Sequence, residues 1–176
     1  MSLQLSRIAM PEPVGSVLIV TDQHSLVALE FGAPEERLMR LLRQRFGSDV
    51  ALTEVEGEGH FDAAVRAYFA GDLAALEAVP VNGGGTPFQQ QVWAALREIP
   101  AGETRSYGDI AARIGKPGAA RAVGLANSLN PISLAVPCHR VVGSTGALTG
   151  YGGGIARKHW LLAHEAGGLD LFHGAP

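Results

Sequence analysis

Three consecutive glycines, Gly83-Gly84-Gly85, separate two stretches of chain whose apolar patterns belong to different kinds of structure. Such a triplet carries more backbone freedom than a helix or strand interior tolerates, so regular structure is expected to stop there. The expectation is two units, residues 1–83 and 84–176, in a chain of 176 residues that is long enough for either to hold a core. Apolar residues make up 47% and charged residues 18%, which excludes a disordered chain and a coiled coil. The longest aliphatic run, Val17 to Val20, is far short of the ~20 residues that cross a bilayer. No basic start precedes a cleavable apolar core, so a cytoplasmic protein without membrane contact is expected.

Before the triplet, Val14 and Val17 to Val20, the polar Thr21-Asp22-Gln23-His24, and Leu26 to Phe31 read as two strands joined by a turn, a hairpin opening the chain. After Pro34, Leu38, Leu41, Leu42 and Phe46 fall at helical spacing, with acids in front and arginines behind, as the helix dipole favours. That helix is expected to cover the hairpin. Asp62 to Ala70 reads as a second short helix stopped at Gly71, which makes the first unit α/β.

Beyond the triplet the pattern is mainly helical. Thr86-Pro87 supplies a cap and a first-turn proline, and Phe88, Val92, Leu96 and Ile99 form one apolar face. Past the turn at Pro100-Ala101-Gly102, Ser106 to Ile114 and Ala119 to Leu129 read as two helices broken by Gly115-Lys116-Pro117-Gly118, a helix-turn-helix pattern. The second helix is rich in small residues: Ala119, Ala120, Ala122, Gly124 and Ala126. Either its backbone approaches a partner closely or the helices simply pack tightly, and the pattern alone favours packing.

Net charge is −3, but the halves differ: 6 Lys+Arg against 12 Asp+Glu in residues 1–85 gives −6, and 8 against 5 in residues 86–176 gives +3. Any phosphate-facing surface belongs in the second half, although two ordinary solvated surfaces would show the same imbalance. The single cysteine, Cys138, excludes an internal disulfide and a multi-thiolate zinc site. It lies in Pro137-Cys138-His139-Arg140, between the apolar Ile132 to Val136 and Val141-Val142. A lone cysteine is more often inert packing than a nucleophile. Here an adjacent histidine could stabilise a thiolate, since a free thiol of pKa about 8.5 is only a few per cent ionised at neutral pH. Glu165, closing the helical stretch Ala156 to His164, is a candidate to orient that imidazole or else a solvated carboxylate. His24, His60, His159, His164 and His173 read as surface or packing residues.

The ordered series Arg121-Ala-Val-Gly, Asn130-Pro131, Pro137-Cys138-His139-Arg140-Val141-Val142, Gly150-Tyr151-Gly-Gly-Gly154 and Lys158-His-Trp-Leu-Leu-Ala-His-Glu165 resembles the signature of the O6-alkylguanine-DNA alkyltransferases. The match runs from about Thr86 to Gly167, and its order over that length is far more specific than any one tetrapeptide. The first unit carries no motif; its pattern fits the family's variable, ribonuclease-H-like domain, and the second unit is then winged-helix-like. The resemblance implies irreversible, single-turnover transfer of an alkyl group from O6-alkylguanine, and by extension O4-alkylthymine, in double-stranded DNA. Cys138 would be the acceptor, His139 its base through an ordered water, and Glu165 the group that orients the histidine. Tyr107 matches the tyrosine that assists the leaving guanine O6, and Asn130 the asparagine that holds the active-site hydrogen bonds. Val136, Pro137, Val141, Tyr151, Gly152 and Gly153 would line the alkylguanine pocket.

A base inside a duplex is out of reach, so the resemblance also implies nucleotide flipping. Arg121 matches the arginine that fills the vacated stack, and Ala119, Ala120, Gly124 and Tyr107 would lie in the minor groove, which reads sequence poorly. Read without the motif, Arg121 is an ordinary exposed arginine. Gly152 stands where many relatives have serine, which removes one side-chain donor to O6 and leaves the preferred alkyl size open. No cofactor and no metal is expected, and a monomer is the default. Three readings from other classes compete: a damage binder without transfer, which Cys138 opposes because such relatives lack it; a thiol hydrolase or acyltransferase that turns over and ignores DNA; and a winged-helix regulator, for which Cys138, His139 and Glu165 would be surplus.

Overall fold

In the computed structural model, which describes residues 2–32 and 35–167, the chain opens on a strand that precedes the expected hairpin. This strand, β1 (Leu3–Ala9), buries Leu3, Leu5 and Ile8 and turns Gln4 and Arg7 outward. Its alternation is interrupted by buried Ser6, whose hydroxyl bonds Asp62, and that polar residue hides the strand from a search for apolar runs. The hairpin follows as β2 (Ser16–Thr21) and β3 (Leu26–Phe31), antiparallel, with Leu18 opposite Glu30 and Ile19 opposite Leu29. Val14 is buried but lies outside it. A short strand, β4 (Leu52–Glu54), pairs in parallel with β1 and completes a four-stranded sheet of order β3-β2-β1-β4. Three residues of which one is apolar give no strand signal.

Helix α1 (Glu36–Phe46) covers one face of this sheet, as its spacing predicts: Leu38 and Leu42 pack with Leu3, Leu5, Leu18, Val20, Val27 and Ala28. The other face carries Ile8, Val17, Ile19, Leu26, Leu29 and Phe31, which pack with Val65 and Phe69 of α2 (Asp62–Phe69) and with Trp93, Leu96, Ile132 and Trp160 from beyond the glycine triplet. Cover on both faces explains why Val17 to Val20 of β2 and Leu26 to Leu29 of β3 read as apolar runs although the strands are antiparallel. The outer edge of β3 is occupied too. Leu26 N–H donates to Pro80 O at 2.9 Å, Leu29 N–H to Pro131 O at 3.0 Å, and Ser133 N–H to Leu29 O at 2.9 Å. Chain from both sides of the triplet thus closes an edge that would otherwise stay unpaired. At the triplet itself Gly85 has φ +83°, and a Cβ there would lie 2.7 Å from the Trp93 ring.

The second half begins with α3 (Pro87–Arg97). Thr86 Oγ1 accepts from Gln89 N–H at 3.2 Å while Gln89 Oε1 accepts from Thr86 N–H at 2.9 Å, a reciprocal cap of about 1 kcal/mol. Ser106 and Asp109 cap α4 (Tyr107–Arg113) in the same way. The turn after it, with positive φ at Gly115 and Gly118, leads into α5 (Ala120–Ser128), so the helix-turn-helix forms within a residue of its expected ends. Ser106 to Ile114 and Ala119 to Leu129 each include the two flanking caps. A two-residue strand, β5 (Arg105–Ser106), pairs in parallel with β6 (Val141–Val142). The last helix among the described residues, α6 (Ile155–Glu165), packs on the 3₁₀ turn Cys138–Arg140. His173 lies outside the described residues.

Candidate functional site

Every residue from Asn130 to Val142 is buried, and this segment delivers the cysteine. Its first residue organises it. Asn130 Nδ2 donates to Val136 O at 2.8 Å and Ile132 O at 3.4 Å, while its Oδ1 accepts from Ile132 N–H at 2.9 Å. The loop closed in this way holds Leu134 at φ +67°, a left-handed conformation that costs a branched side chain of order 1–3 kcal/mol. Cys138 follows, with its N–H on Val136 O at 2.8 Å and 5% of its surface exposed. Burial pushes the Cys138 thiol up, against the opposing pull of the Asn130 amide and the Arg37 and Lys158 charges. The thiol is therefore protonated at neutral pH, not the resting thiolate that an adjacent histidine suggests.

The structure brings His139 and Glu165 together. His139 Nε2 lies 2.8 Å from Glu165 Oε1, and both side chains are fully buried. Glu165 is not a solvated carboxylate. Two further residues hold it: Arg140 donates from Nε to Oε2 at 2.9 Å and from Nη2 to Oε1 at 2.8 Å, and the Tyr68 hydroxyl donates to Oε1 at 2.7 Å. Arg140 Nη1 ends on Ile99 O at 2.6 Å. Burial alone would raise the Glu165 carboxyl, but the bonds from His139 and Arg140 hold it well below the usual carboxylate range. An ionised carboxylate only accepts, so Nε2 of His139 carries the proton and, in the neutral ring, Nδ1 is the basic nitrogen. Nδ1 is buried and has no hydrogen-bond partner. Burial lowers the His139 pKa despite Glu165, so the imidazole is neutral at neutral pH. The turn thus carries, on consecutive residues, an uncharged thiol and an uncharged imidazole whose tautomer is fixed by Glu165.

Arg140 and Tyr68 escaped the sequence reading as functional residues. Arg140 sits inside the Pro-Cys-His-Arg motif, and its type alone hints at a carboxylate partner. Tyr68 gives no signal at all, because its ring falls on the buried side of α2 like any core aromatic.

Of the expected pocket residues, Pro137 and Val141 flank the turn and Tyr151 approaches it, while Val136, Gly152 and Gly153 border other cavities. Val136, Pro137, Val141 and Gly153 are buried, Tyr151 is half-buried and Gly152 is exposed. The Tyr151 ring centroid lies 6.5 Å from that of His139 and 6.3 Å from that of Phe31, and its hydroxyl is buried without a hydrogen bond of normal geometry. A Cβ on Gly153 would meet Tyr151 at 2.7 Å and Phe31 at 2.8 Å, so only glycine fits. At Gly152 a Cβ would meet the Arg37 guanidinium at 2.8 Å. Arg37, from α1, is itself pinned by Glu30 and by Ser128 O at 2.8 Å. Lys158 underpins the loop: its buried ammonium donates to Val141 O at 2.6 Å and Thr149 O at 3.2 Å.

On α5, Arg121, Ala122, Leu125 and Ser128 are exposed, Ala119, Ala120 and Gly124 are half-buried, and Ala126 is buried under the Trp93 indole, which donates to its carbonyl at 2.9 Å. Part of the small-residue stripe therefore serves helix packing, and the rest borders an open face that carries Arg121. Tyr107, beside Gly124, shares a 2.7 Å hydrogen bond with Thr149 Oγ1. Of the remaining histidines, His24, His60 and His159 are exposed, while buried His164 stacks on Trp160 at 4.7 Å and bonds Tyr68 O at 3.0 Å. Among the described residues no group of three or more His, Cys, Asp or Glu side chains could hold a metal ion. No helix among them is long and apolar enough to cross a membrane.

Residues 87–167 match the family model of the 6-O-methylguanine DNA methyltransferase, DNA binding domain. A methylated-DNA–protein-cysteine methyltransferase of Shigella flexneri is 45% identical over 155 residues, covering 87% of this chain and 91% of that protein. Its Mycobacterium tuberculosis namesake is 62% identical over 110 residues, 61% of this chain and 66% of that one. Among solved structures, Mycobacterium tuberculosis OGT in complex with DNA superposes with TM-score 0.77 at 42% identity, covering 97% of this chain and 96% of that one. The O6-methylguanine-DNA methyltransferase of the archaeon Pyrococcus kodakaraensis gives 0.71 at 26% identity, covering 93% and 98%.

Proposed function

The chain belongs to the methylated-DNA–protein-cysteine methyltransferase family, and we propose that it repairs O6-alkylguanine, and by extension O4-alkylthymine, in double-stranded DNA by moving the alkyl group onto Cys138. The observation that carries this assignment is the His139–Glu165 pair, which leaves Nδ1 as the basic nitrogen of the residue that follows the buried Cys138. As the thiol proton passes to His139 Nδ1 through a water, Sγ attacks the alkyl carbon. The carbon–O6 bond breaks, its electron pair goes to the guanine, and Tyr107 assists O6 as it leaves. The proton lost by the thiol ends on the guanine, so the products are normal guanine and a thioether. Neutral His139 and protonated Cys138 suit this order, because charge develops only when an electrophile is present. Nothing in the relay reverses a thioether, so each molecule reacts once.

Asn130 fixes the carbonyls that frame Cys138, and Val136, Pro137, Val141, Tyr151, Gly152 and Gly153 bound the guanine. Arg121, exposed on α5, enters the stack as the nucleotide flips, at a cost of a few kcal/mol for unstacking. Ala119, Ala120, Gly124 and Tyr107 border that face in the minor groove. The exposed position of Arg121, with Ala120, Ala122 and Gly124 near it on the helix, supports this reading. We assign residues 1–83 to a ribonuclease-H-like unit, on its sheet backed by α1, and residues 84–176 to a winged-helix-like unit, on the helix-turn-helix beside the β5–β6 pair. The protein acts as a cytoplasmic monomer without cofactor. The test is intact-mass analysis with peptide mapping after incubation with duplex DNA containing O6-methylguanine. One added methyl on Cys138, saturating at one per chain, is the expected result. An unchanged mass on bound duplex would make the protein a damage binder, and turnover of a thioester without DNA would make it a thiol hydrolase.

A further inference from the structure

The Tyr68 hydroxyl reaches the Glu165 carboxylate from helix α2, in the half of the chain that carries no motif of its own. It is an O–H donor on Glu165 Oε1 at 2.7 Å, the oxygen that also takes His139 Nε2 and Arg140 Nη2, each at 2.8 Å. A carboxylate oxygen has two lone pairs, so three donors share what two would fill. Glu165 Oε2, by contrast, takes Arg140 Nε at 2.9 Å. The phenol is nearly fully buried, and burial together with the Glu165 charge pushes its pKa well above the ordinary tyrosine value. It is therefore a permanent donor at any working pH. Its ring is locked edge-on against Phe69 at 5.3 Å and His164 at 5.5 Å.

We propose that Tyr68 is a positioning residue for alkyl transfer: by sharing Glu165 Oε1 with His139 it limits how far the carboxylate stabilises the imidazolium, keeping His139 neutral and Nδ1 ready to take the thiol proton. The groups around His139 agree in direction. Lys158 of α6 and Arg140 beside it disfavour a second cation, and the Tyr151 phenol and Cys138 thiol are uncharged at neutral pH. Helix α3 turns Val92, Trp93, Ala95 and Leu96 inward. Glu165 alone pulls the other way, and Tyr68 moderates that pull. The proposal rests on the assignment of His139 as the base and gives the sheet-bearing half a part in the chemistry.

The experiment follows the transfer rate to Cys138 from O6-methylguanine duplex across pH, together with the NMR titration of the His139 imidazole in the free protein. Tyr68→Phe keeps the ring and removes the donor, so Glu165 Oε1 becomes a better partner for the imidazolium and the His139 pKa rises. The acid limb of the rate profile moves to higher pH by roughly one unit, with transfer about tenfold slower below the limb and within about twofold on the plateau. Replacing Tyr68 by 3,5-difluorotyrosine keeps the donor and makes it more acidic, which draws more charge from Oε1 and moves the limb the opposite way. In a Glu165→Gln background neither change shifts the His139 titration. Equal slowing at every pH, a limb that stays in place, shifts of one sign for both replacements, or persistence of the effect in the Glu165→Gln background would each overturn the proposal. Should Tyr68→Phe melt early, the difluorotyrosine protein still decides by the sign of its shift. The His139 titration needs no DNA, so absence of any methyl on wild-type Cys138 would refute the functional assignment separately.

Discussion

Along Val17 to Val20 of β2 and Leu26 to Leu29 of β3, short of the Glu30 that pairs with Arg37, burial falls on side chains that need only neighbours of the right volume. Along residues 130–142 it falls equally on Asn130, His139 and Arg140, which need particular partners at particular distances. The first stretch is held by area removed from water, about 1.5–3 kcal/mol for each large aliphatic side chain, and tolerates small changes of shape. The second is held by bonds to residues far away in sequence, and losing one partner strands another in a dry interior. Equal burial therefore goes with unequal tolerance, and Cys138 and His139, to which we assign the chemistry, sit in the intolerant stretch.

Removing the reacting atom sharpens the contrast most. Cys138→Ala is expected to abolish methyl incorporation in the mass assay while duplex binding and the melting curve survive, because Asn130 keeps its bonds to Val136 and Ile132 without the thiol. Loss of binding by a folded Cys138→Ala protein would show that the turn is structural first. Next in size is Glu165→Ala, which leaves the Arg140 guanidinium and the His139 ring without their acceptor and should cost about 3–5 kcal/mol in urea unfolding. The depressed Glu165 pKa gives the sign of the pH effect. Stability from this carboxylate is fully present above the ordinary carboxylate range and is lost as pH falls toward the folded value, so Glu165→Gln should flatten the acid side of the stability curve. A variant as stable as the parent at neutral pH would mean that the buried network is slack.

Arg121→Ala tests a residue outside both buried stretches. Repair in duplex should slow about tenfold, the cost of a stacking contact worth roughly 1–3 kcal/mol, while attack on free alkylguanine and the melting temperature stay unchanged. Equal slowing on both substrates would place Arg121 in the fold instead. The smallest effect is expected from Ile19→Val in β2, about 0.5–1.5 kcal/mol of stability with no change in the methyl-transfer rate of the folded protein. A clear loss of rate there would erase the distinction between the two stretches.

Several features are legible in the amino-acid sequence. The cap at Thr86, the helix-turn-helix and the amphipathic α1 depend on nearest neighbours and on one period, which sequence displays directly. The hairpin is legible because two apolar runs flank a polar turn, whereas β1 is masked by Ser6 and β4 is too short to show. The association of Cys138, His139 and Glu165 is legible only as a resemblance, since 26 residues separate the histidine from the carboxylate.

What the sequence determined by itself is therefore local: where helices start, where the chain breaks, and which residue types could do chemistry on a lone thiol. The tertiary structure decided what those residues are. It made Cys138 a protonated thiol and His139 a neutral imidazole by taking both out of water, and it brought Tyr68 onto Glu165 and Arg37 onto Ser128 O from the half without motifs. A side chain's charge state and partners depend on what folds around it, and contacts such as Tyr68 to Glu165, 97 positions apart, leave no periodic trace along the chain.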